Sequence, residues 1–382
     1  MSLFEEYYKN NLEFSNNNNL NLNRIDNALY DIGFSEKNLG KIVHIAGTNG
    51  KGSTSFFLAQ MLEKNGYKTA LFTSPHINTV RERISVSLKN INQDVFDNLF
   101  QRYTNTIKKY QLSYFEGIFF IAMVMFSIEK PDFTILETGL GGRLDATNTG
   151  LITNKTCIIT SLSYDHSDIL GKNIYKIIDE KLGILRQSSK VLVGPNKKFI
   201  LDYISTKHPK AVTNIVVSPF ASNSYPYPFS ENYCLAKKAA EYLLNSSIAD
   251  CDNLALPSCR LERINNIILD GSHNPAGLLA LMKSQQINKN STVIFTSTND
   301  RDLFKTFSIL SKISNNIILT TLPDNHRSIT EHDVEDIDCL FISSPKKALD
   351  KALEICGDND ILVTGSFYLC SVVKKIISEA KD

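Results

Sequence analysis

A glycine-rich loop carries the clearest chemical signal in this sequence. It lies between a predicted strand and a predicted helix and consists of Gly47, Thr48, Asn49, Gly50, Lys51, Gly52 and Ser53. Glycines let a backbone turn tightly and point its N–H groups at phosphate oxygens. The N-terminus of the following helix adds partial positive charge, and the Lys51 ammonium can reach terminal phosphates. The loop therefore predicts a nucleotide-phosphate site, with an ordinary glycine turn as the alternative.

The loop departs from the usual phosphate-loop pattern at two positions. Ile45 stands where that pattern has its first glycine, and Gly52 stands where it has Ser or Thr after the lysine. A glycine cannot bind magnesium through a side chain, so Ser53 or a residue from elsewhere must supply that ligand. This departure argues against a generic ATPase or a small kinase.

Three polar residues stand at or just after the ends of other short apolar runs, which we predict to be strands. They are Ser74, Glu137 and His166. Because the carboxyl ends of parallel strands meet at one edge of a sheet, we expect these side chains beside the glycine-rich loop. Hydroxyl, carboxylate and imidazole groups there suit magnesium bound together with nucleotide phosphates. Taken singly, Ser74 could instead start a turn before Pro75, and His166 could neighbour a helix cap.

Short apolar strands alternate with helical patterns along most of the chain, which predicts an α/β protein. A proline-rich break across residues 195–230 interrupts the alternation. We predict an N-terminal P-loop-type parallel-sheet ATPase domain over residues 1–255, with a linker region at about 195–255. A smaller C-terminal Rossmann-like α/β domain is predicted over residues 256–382.

The composition is that of an ordinary globular enzyme, with 42% hydrophobic and 21% charged residues. A net charge of +1 gives no strong attraction to nucleic acid or an acidic membrane, so we expect neither as a partner. The longest apolar run, residues 118–126, is too short to span a bilayer and predicts a buried helix. The seven cysteines include no Cys-x-x-Cys pair, and the first residues do not form a signal peptide. We therefore expect a cytoplasmic protein with reduced thiols, acting as a monomer.

Further short motifs run along nearly the whole chain. Together with the glycine-rich loop they comprise residues 47–53, 73–76, 82–84, 136–148, 165–166, 270–275 and 365–367. In this order they resemble the folylpolyglutamate synthase and dihydrofolate synthase family, which belongs to the Mur-ligase superfamily. Any one of the motifs is weak, but their occurrence together and in the family's order is highly specific.

The resemblance implies a catalytic or metal-binding role for several residues. Lys51 acts at the phosphates, and Ser74, Glu137 and His166 bind magnesium. Lys181 would ordinarily be a solvated helix residue, but the equivalent lysine of the family is carbamylated and becomes an anionic metal bridge. The implied catalytic set is therefore Lys51, Glu137, His166 and Lys181.

The resemblance also implies ATP contacts outside the glycine-rich loop. Asn232 is assigned to the adenine end, and Arg260, Asp270 and His273 contact ATP from the C-terminal domain. Plain helix capping is the alternative for Asp270 and His273, because Pro275 suits the first turn of a helix.

The implied reaction is an ATP-dependent and magnesium-dependent ligation. A carboxylate becomes an acyl phosphate, which the amine of L-glutamate attacks. Family members that use dihydropteroate usually carry the form seen at residues 141–148, so we predict a bifunctional enzyme of folate biosynthesis that acts on dihydropteroate and on folates. The alternatives are a Mur-type ligase on a cell-wall nucleotide precursor and a non-catalytic nucleotide-binding module.

Overall fold

The computed structural model describes residues 2–11, 21–164, 173–187, 189–209, 211–215, 225–299, 301–322, 325 and 327–379. Contacts divide the chain into two compact units. The first contains Met1–Ser224 and Phe229–Ala255, and the second contains Tyr225–Pro228 and Leu256–Asp382. Each unit has its own sheet and its own apolar core.

The first unit alternates strands and helices. Its described helices are α1 (Leu3–Asn10), α2 (Asn23–Asp31), α3 (Lys51–Lys64), α4 (Gln93–Lys109), α5 (Tyr114–Glu129), α6 (Ile174–Leu182), α7 (Lys198–Lys207) and α8 (Phe229–Leu244). Its described strands are β1 (Lys41–Ala46), β2 (Thr69–Phe72), β3 (Ile84–Val86), β4 (Lys89–Asn90), β5 (Phe133–Glu137), β6 (Lys155–Ile159), β7 (Lys190–Val193) and β8 (Val212–Ile215). Within the part of the chain that the structure describes, they pair in the order β4-β3-β2-β5-β1-β6-β7-β8.

Strand β1 lies inside this sheet, between β5 and β6, and pairs in parallel with both. Its residues after Lys41 are all buried, as expected for a parallel strand that is covered on both faces. The register sets Ile45 beside Glu137 and Ala46 beside Ile159. The carboxyl ends of three strands therefore lie side by side, so the loops that follow them meet at one edge of the sheet.

An antiparallel hairpin extends the sheet beyond β2. Strand β3 pairs with β2 and β4 pairs with β3, both antiparallel. The two turn residues, Ser87 and Leu88, have φ values of 46° and 61°. Two-residue hairpin turns need positive φ and are usually signalled by Asn-Gly or Asp-Gly. Because Ser-Leu gives no such signal, the sequence pattern did not predict the hairpin.

Helix α3 follows the glycine-rich loop and is buried along most of its length. It packs on the sheet and against α8, where the rings of Phe57 and Tyr233 lie with their centroids 5.7 Å apart. At its far end, Gln60 donates to the Ala255 carbonyl at 2.9 Å and accepts from the Ala255 amide at 2.8 Å. The segment Phe229–Ala255 thus covers one flank of the helix that begins at the loop.

The region predicted as a linker contains regular structure of the first unit. Helix α7 and strand β8 fall within residues 195–255, and β8 pairs in parallel with β7. Pro209 follows the end of α7 closely, and prolines are common just after a helix C-terminus because they cannot continue it. Pro209 therefore coincides with the end of a helix, and regular structure occupies much of the segment predicted as a linker region.

The second unit is a smaller α/β layer structure. Its described helices are α9 (Pro275–Lys283), α10 (Leu303–Ile313), α11 (Pro345–Ile355) and α12 (Phe367–Glu379). Its described strands are β9 (Glu262–Ile264), β10 (Ile267–Leu269), β11 (Thr292–Phe295), β12 (Asn316–Leu319), β13 (Leu340–Phe341) and β14 (Ile361–Thr364). In the described residues they pair in the order β13-β12-β11-β14-β10-β9, and all pairs except β10–β9 are parallel.

Two sheets dominated by parallel strands confirm the predicted α/β fold class. The predicted buried helix over residues 118–126 is also confirmed, as part of α5. Among the described residues, no helix combines the length and the apolar character required to cross a bilayer.

Candidate active site

The glycine-rich loop connects the end of β1 to the start of α3. Gly50 precedes the first helical residue and has a φ of 87°, a left-handed conformation that favours glycine. A Cβ atom at Gly50 would also overlap the amide oxygen of Asn232. Gly50 has no side chain to cap the first amides of α3, and the N-terminus of a helix favours an anion at such a place.

The loop is tied to the sheet on the β6 side. Thr48 donates its hydroxyl to the Ser163 carbonyl at 3.0 Å. Thr160 and Ser161, which follow β6, donate to the Asn49 carbonyl at 2.8 and 3.1 Å. These bonds use carbonyl groups and side chains, so the loop is held without consuming the first amides of the helix.

Lys51 folds back over the loop that precedes it. Its Nζ atom lies 3.3 Å from the carbonyl oxygens of Gly47 and Thr48. The side chain is half-buried, so its ammonium stays accessible at the loop. This is the place where a bound phosphate chain would need a positive charge.

Glu137 approaches the same helix terminus from β5. The side chain is 4% exposed, and its Oε2 atom accepts the Ser74 backbone N–H at 3.0 Å. A Cβ atom at Gly52 would lie 3.4 Å from both carboxylate oxygens of Glu137. Gly52 therefore leaves space for this carboxylate at the start of α3, where the helix dipole favours negative charge.

The segment after Ser74 is fixed by a second acidic residue. The Glu82 carboxylate accepts the backbone N–H groups of Ile77, Asn78 and Thr79 at 2.7 to 3.0 Å. The sequence motifs at residues 73–76 and 82–84 are thus parts of one folded loop. This loop positions the Ser74 backbone N–H so that it donates to Glu137.

His76 and Arg83 pair within this loop. The Arg83 Nε–H donates to His76 Nδ1 at 2.9 Å. Burial, and next the Arg83 guanidinium, lower the pKa of His76 to about 4, so the imidazole is neutral near pH 7. A neutral ring is the form that accepts the arginine hydrogen bond.

Lys181 reaches the glycine-rich loop from α6. The side chain is buried, and its Nζ atom donates to the Gly47 carbonyl at 2.9 Å. The sequence alone allowed a solvated helix position for this lysine, and the structure does not place it there. Lys51 and Lys181 both contact the Gly47 carbonyl, and Glu137 lies at the same loop.

His166, with Asp165 before it, lies outside the described residues. Ser74, Glu137 and Lys181 are therefore the predicted metal ligands that the structure describes. Among the described residues, no group of three His, Cys, Asp or Glu side chains is arranged to hold a metal ion. The predicted ligand set contains a serine and a lysine and depends on His166, so such a group is not required.

The motif at residues 141–148 forms a compact loop after β5. Asp145 is buried, and its Oδ2 atom accepts the backbone N–H groups of Gly139 and Leu140 at 3.0 and 2.9 Å. A Cβ atom at Gly139 would lie 2.6 Å from the Phe115 ring, so the loop passes directly over that aromatic side chain of α5. Loop and ring together form one wall beside the strand that ends at Glu137.

Sequence reasoning missed two residues that support this loop. His44 and Lys155 are buried, and Lys155 is hydrogen-bonded both to His44 and to Asn148 of the motif. The available signal was a histidine inside an apolar strand and a lysine at the start of another, because charged side chains are rarely fully buried without partners.

The predicted nucleotide contacts of the second unit gather around Phe367. The Arg260 guanidinium lies 4.5 Å from the centre of the Phe367 ring, and the His273 ring centroid lies 6.2 Å from it. Asp270 is buried and accepts the Ser272 and Leu261 backbone N–H groups at 2.9 and 3.1 Å. The structure thus brings Arg260, Asp270 and His273 into one cluster at the start of α9 and α12.

The fold and the loop define a class of protein. Residues 45–227 match the Mur ligase middle domain, which includes the glycine-rich loop, Glu137 and Lys181. A dihydrofolate synthase/folylpolyglutamate synthase of Bacillus subtilis (strain 168) is 29% identical over 407 residues, covering 93% of this chain and 94% of that protein.

Solved structures agree with these sequence matches. The Escherichia coli FolC protein in complex with ADP superimposes with a TM-score of 0.84 at 25% identity, covering 99% of this chain and 98% of that chain. The Mycobacterium tuberculosis folylpolyglutamate synthase in complex with ADP has the same fold, with a TM-score of 0.85 at 22% identity over 98% of both chains. Residues 45–227 thus correspond to a Mur ligase middle domain, and along nearly its whole length the chain is similar to dihydrofolate synthase/folylpolyglutamate synthases. It is an enzyme that forms carbon–nitrogen bonds.

Proposed function

We propose that this chain is an ATP-dependent amide ligase that joins L-glutamate to dihydropteroate and to folates through an acyl phosphate. The observation that carries the proposal is the meeting of Lys51, Glu137 and Lys181 at one glycine-rich loop. The names of the relatives supply the substrates: the Bacillus subtilis protein is both a dihydrofolate synthase and a folylpolyglutamate synthase.

In the first step, a carboxylate oxygen of the pterin-bearing acceptor attacks the γ-phosphorus of ATP. The bond from that phosphorus to the bridging oxygen breaks, and ADP leaves. Lys51 and the first amides of α3 stabilise the negative charge on the phosphate oxygens. In the second step, the glutamate nitrogen attacks the acyl carbon, phosphate leaves, and the nitrogen loses a proton to solvent. The protein's main task is to hold the reactants in line and to keep water from the acyl phosphate.

The donor set at the loop fits a divalent cation. Glu137 is a buried carboxylate at a strand end, beside the helix terminus and next to the Ser74 backbone, and oxygen ligands are those that magnesium prefers. We propose that Glu137 and Ser74 hold magnesium, together with His166. When bound, magnesium offsets negative charge on the phosphates. A solved relative, from Yersinia pestis, was obtained with AMPPNP and Mn ion.

The nucleotide contacts outside the loop also remain part of this proposal. Asn232 is supported by its contact with Gly50, which places its amide next to the phosphate loop. Arg260, Asp270 and His273 are supported by their clustering around Phe367 in the second unit.

None of the seven cysteines, all within the described residues, forms a disulfide, which supports a reducing compartment such as the cytoplasm. We propose a monomer that binds small molecules only.

We further propose that Lys181 is carbamylated. Its neutral amine would attack carbon dioxide and lose a proton, leaving a carbamate with one remaining N–H. That N–H can still donate to the Gly47 carbonyl, so the contact at 2.9 Å survives the modification. Burial disfavours an ammonium and favours a group that a cation can neutralise.

Carbamylation predicts a bound carbamate signal. Enzyme equilibrated with ¹³C-bicarbonate should show a carbamate resonance by NMR that Lys181→Met abolishes, together with about a hundredfold loss of kcat. Lys176→Met, an exposed lysine on the same helix, is the matched control and should keep both. Full activity of wild-type enzyme that carries no label would rule the modification out.

Use of both acceptors is the direct test of the function. With ATP and magnesium, we expect glutamate-dependent ADP release both with dihydropteroate and with a reduced folate, because one phosphate site serves either carboxylate. Mass spectrometry of the products should show the addition of one glutamate. Elongation of folates without any use of dihydropteroate would refute bifunctionality and leave the ligase. Activity only with a cell-wall nucleotide precursor would favour a Mur-type ligase of cell-wall synthesis. No turnover at all would favour a non-catalytic nucleotide-binding module.

A further inference from the structure

A buried lysine lies behind the loop at residues 138–149, away from the residues assigned above. The Lys155 Nζ atom, at the start of β6, lies 2.9 Å from His44 Nδ1 and donates to Asn148 Oδ1 at 2.7 Å. Lys155 is 4% exposed, and His44 and Asn148 are almost fully buried. Burying an ammonium is expensive, and a methionine would fill the same volume at lower cost. The amine is therefore present for its hydrogen bonds.

The directions of these bonds are fixed by chemistry. Burial, and next the Lys155 cation, lower the pKa of His44 well below its usual value, so the ring is neutral and Nδ1 can accept from the ammonium. The proton of the neutral ring is then on Nε2, which lies 2.9 Å from the Thr147 hydroxyl oxygen and donates to it. The Thr147 hydroxyl in turn donates its own hydrogen to Asp145 Oδ1.

This relay connects a cation to a carboxylate through two neutral groups. It runs from Lys155 through His44 and Thr147 to Asp145, and Asp145 holds the backbone of Gly139 and Leu140. If the direction of any of these hydrogen bonds were reversed, a buried donor or acceptor would lose its partner. The free-energy cost of that loss exceeds the stabilisation that the bond provides. The loop therefore has one favoured arrangement.

A second branch leaves Lys155 through Asn148. The Asn148 amide donates to the carbonyl oxygens of Arg143 and Gly183 at 2.9 and 3.0 Å. Gly183 directly follows α6, the helix that carries Lys181. Since His44 lies on β1, which leads into the glycine-rich loop, Lys155 joins the three segments that meet at the site.

From this arrangement we infer that Lys155 is a positioning residue for the pterin-bearing acceptor. The inference rests on the proposed function, and it takes the loop over Phe115, which follows the strand that ends at Glu137, to face that acceptor. Lys155 supports this loop through His44 and Asn148. Its removal should therefore loosen acceptor binding more than ATP binding, because the glycine-rich loop has its own bonds through Thr48 and Asn49.

Two substitutions interrupt this chain of hydrogen bonds at different members. Lys155→Met removes the donor and the charge, and Thr147→Val removes the hydroxyl that joins His44 to Asp145. Each should raise KM for dihydropteroate and for folate by about tenfold or more, the loss expected when a buried hydrogen bond to a charged group is broken. KM for ATP should stay within about twofold of the wild-type value.

Conservative and neutral variants make the test specific. Lys155→Gln keeps an amide donor and should recover part of the acceptor affinity lost in Lys155→Met. Lys190→Met changes an exposed lysine at the start of the neighbouring strand and should leave both KM values unchanged. Calorimetric titration with ADP tests whether each variant is folded. Should Lys155→Met fail to fold, Thr147→Val and Lys155→Gln decide the question by the same comparison.

An unchanged acceptor KM in folded variants would overturn the inference, and so would equal rises for acceptor and ATP, because these indicate general support of the fold. Failure of the wild-type enzyme to use either acceptor is a different result, since it would refute the proposed function itself. Turnover by the wild type therefore has to be established first.

Discussion

Alanine in place of Lys51 is expected to reduce kcat by about a thousandfold with either acceptor. The Lys51 ammonium lies over the loop carbonyls of Gly47 and Thr48, where it can meet the charge that develops on the transferred phosphoryl group. Removing one such preorganised donor from an active site costs on the order of a hundredfold to a thousandfold. The measurement is steady-state ADP release with dihydropteroate or folate, L-glutamate and magnesium.

The fold should survive this change, because Lys51 is half-buried at the first position of α3 and is not part of the apolar core. Lys64→Ala is a matched control: it removes a lysine from the other end of the same helix, where Nζ only reaches the Asp252 carbonyl at 3.3 Å. That variant should retain wild-type turnover. Normal kcat in Lys51→Ala, in a protein that melts like the wild type, would contradict the assignment of the phosphate loop.

Glutamine in place of Glu137 is expected to abolish both activities together, with a loss of about a hundredfold or more. Glutamine keeps an oxygen that can accept the Ser74 N–H, so the local backbone should hold. It removes the negative charge beside the start of α3, and with it the proposed attraction for magnesium. Activity should be measured with each acceptor as a function of magnesium concentration.

If Glu137 binds magnesium, the dependence of activity on magnesium concentration should change in the variant. The magnesium concentration for half-maximal activity should rise in Glu137→Gln, whereas Glu129→Gln, a partly exposed surface residue paired with Lys68, should leave it unchanged. Loss of only one of the two activities would argue that Glu137 contacts an acceptor and does not serve a shared metal site.

The predictable part of the fold was the alternation of buried strands and helices. Strand β1 and helix α3 are apolar enough to be recognised, and the glycines between them mark the turn. The hairpin at Ser87 and Leu88 was missed because its positive φ values occur at residues that seldom signal them. The prolines between residues 195 and 230 did not reveal α7 and β8, because a proline can follow the end of a helix as well as mark a loop.

The predictable part of the site was the set of residues carried by local motifs. Glu137 ends β5, and the loop that leads to Lys51 follows the neighbouring strand β1, so the parallel pairing of the two strands brings these residues together. The contact of Lys181 with Gly47 joins residues far apart in the sequence, and only the path of α6 past the loop creates it. The hydrogen-bond partners of Lys155 could not be predicted for the same reason: the role of a buried lysine depends on the side chains that accept its hydrogen bonds, and the fold determines which these are.

The cover that Phe229–Ala255 provides for α3 determines where a shortened chain can end. The chain completes the sheet of the first unit, passes through Tyr225–Pro228 of the second unit, and only then returns as Phe229–Ala255 to cover the phosphate-loop helix. A fragment that stops before Phe229 would expose Phe57 and Gln60 to water, because their partners Tyr233 and Ala255 would be missing. A fragment that ends with β8 would therefore lack part of the cover of α3, and a fragment that keeps this cover has to extend to Ala255.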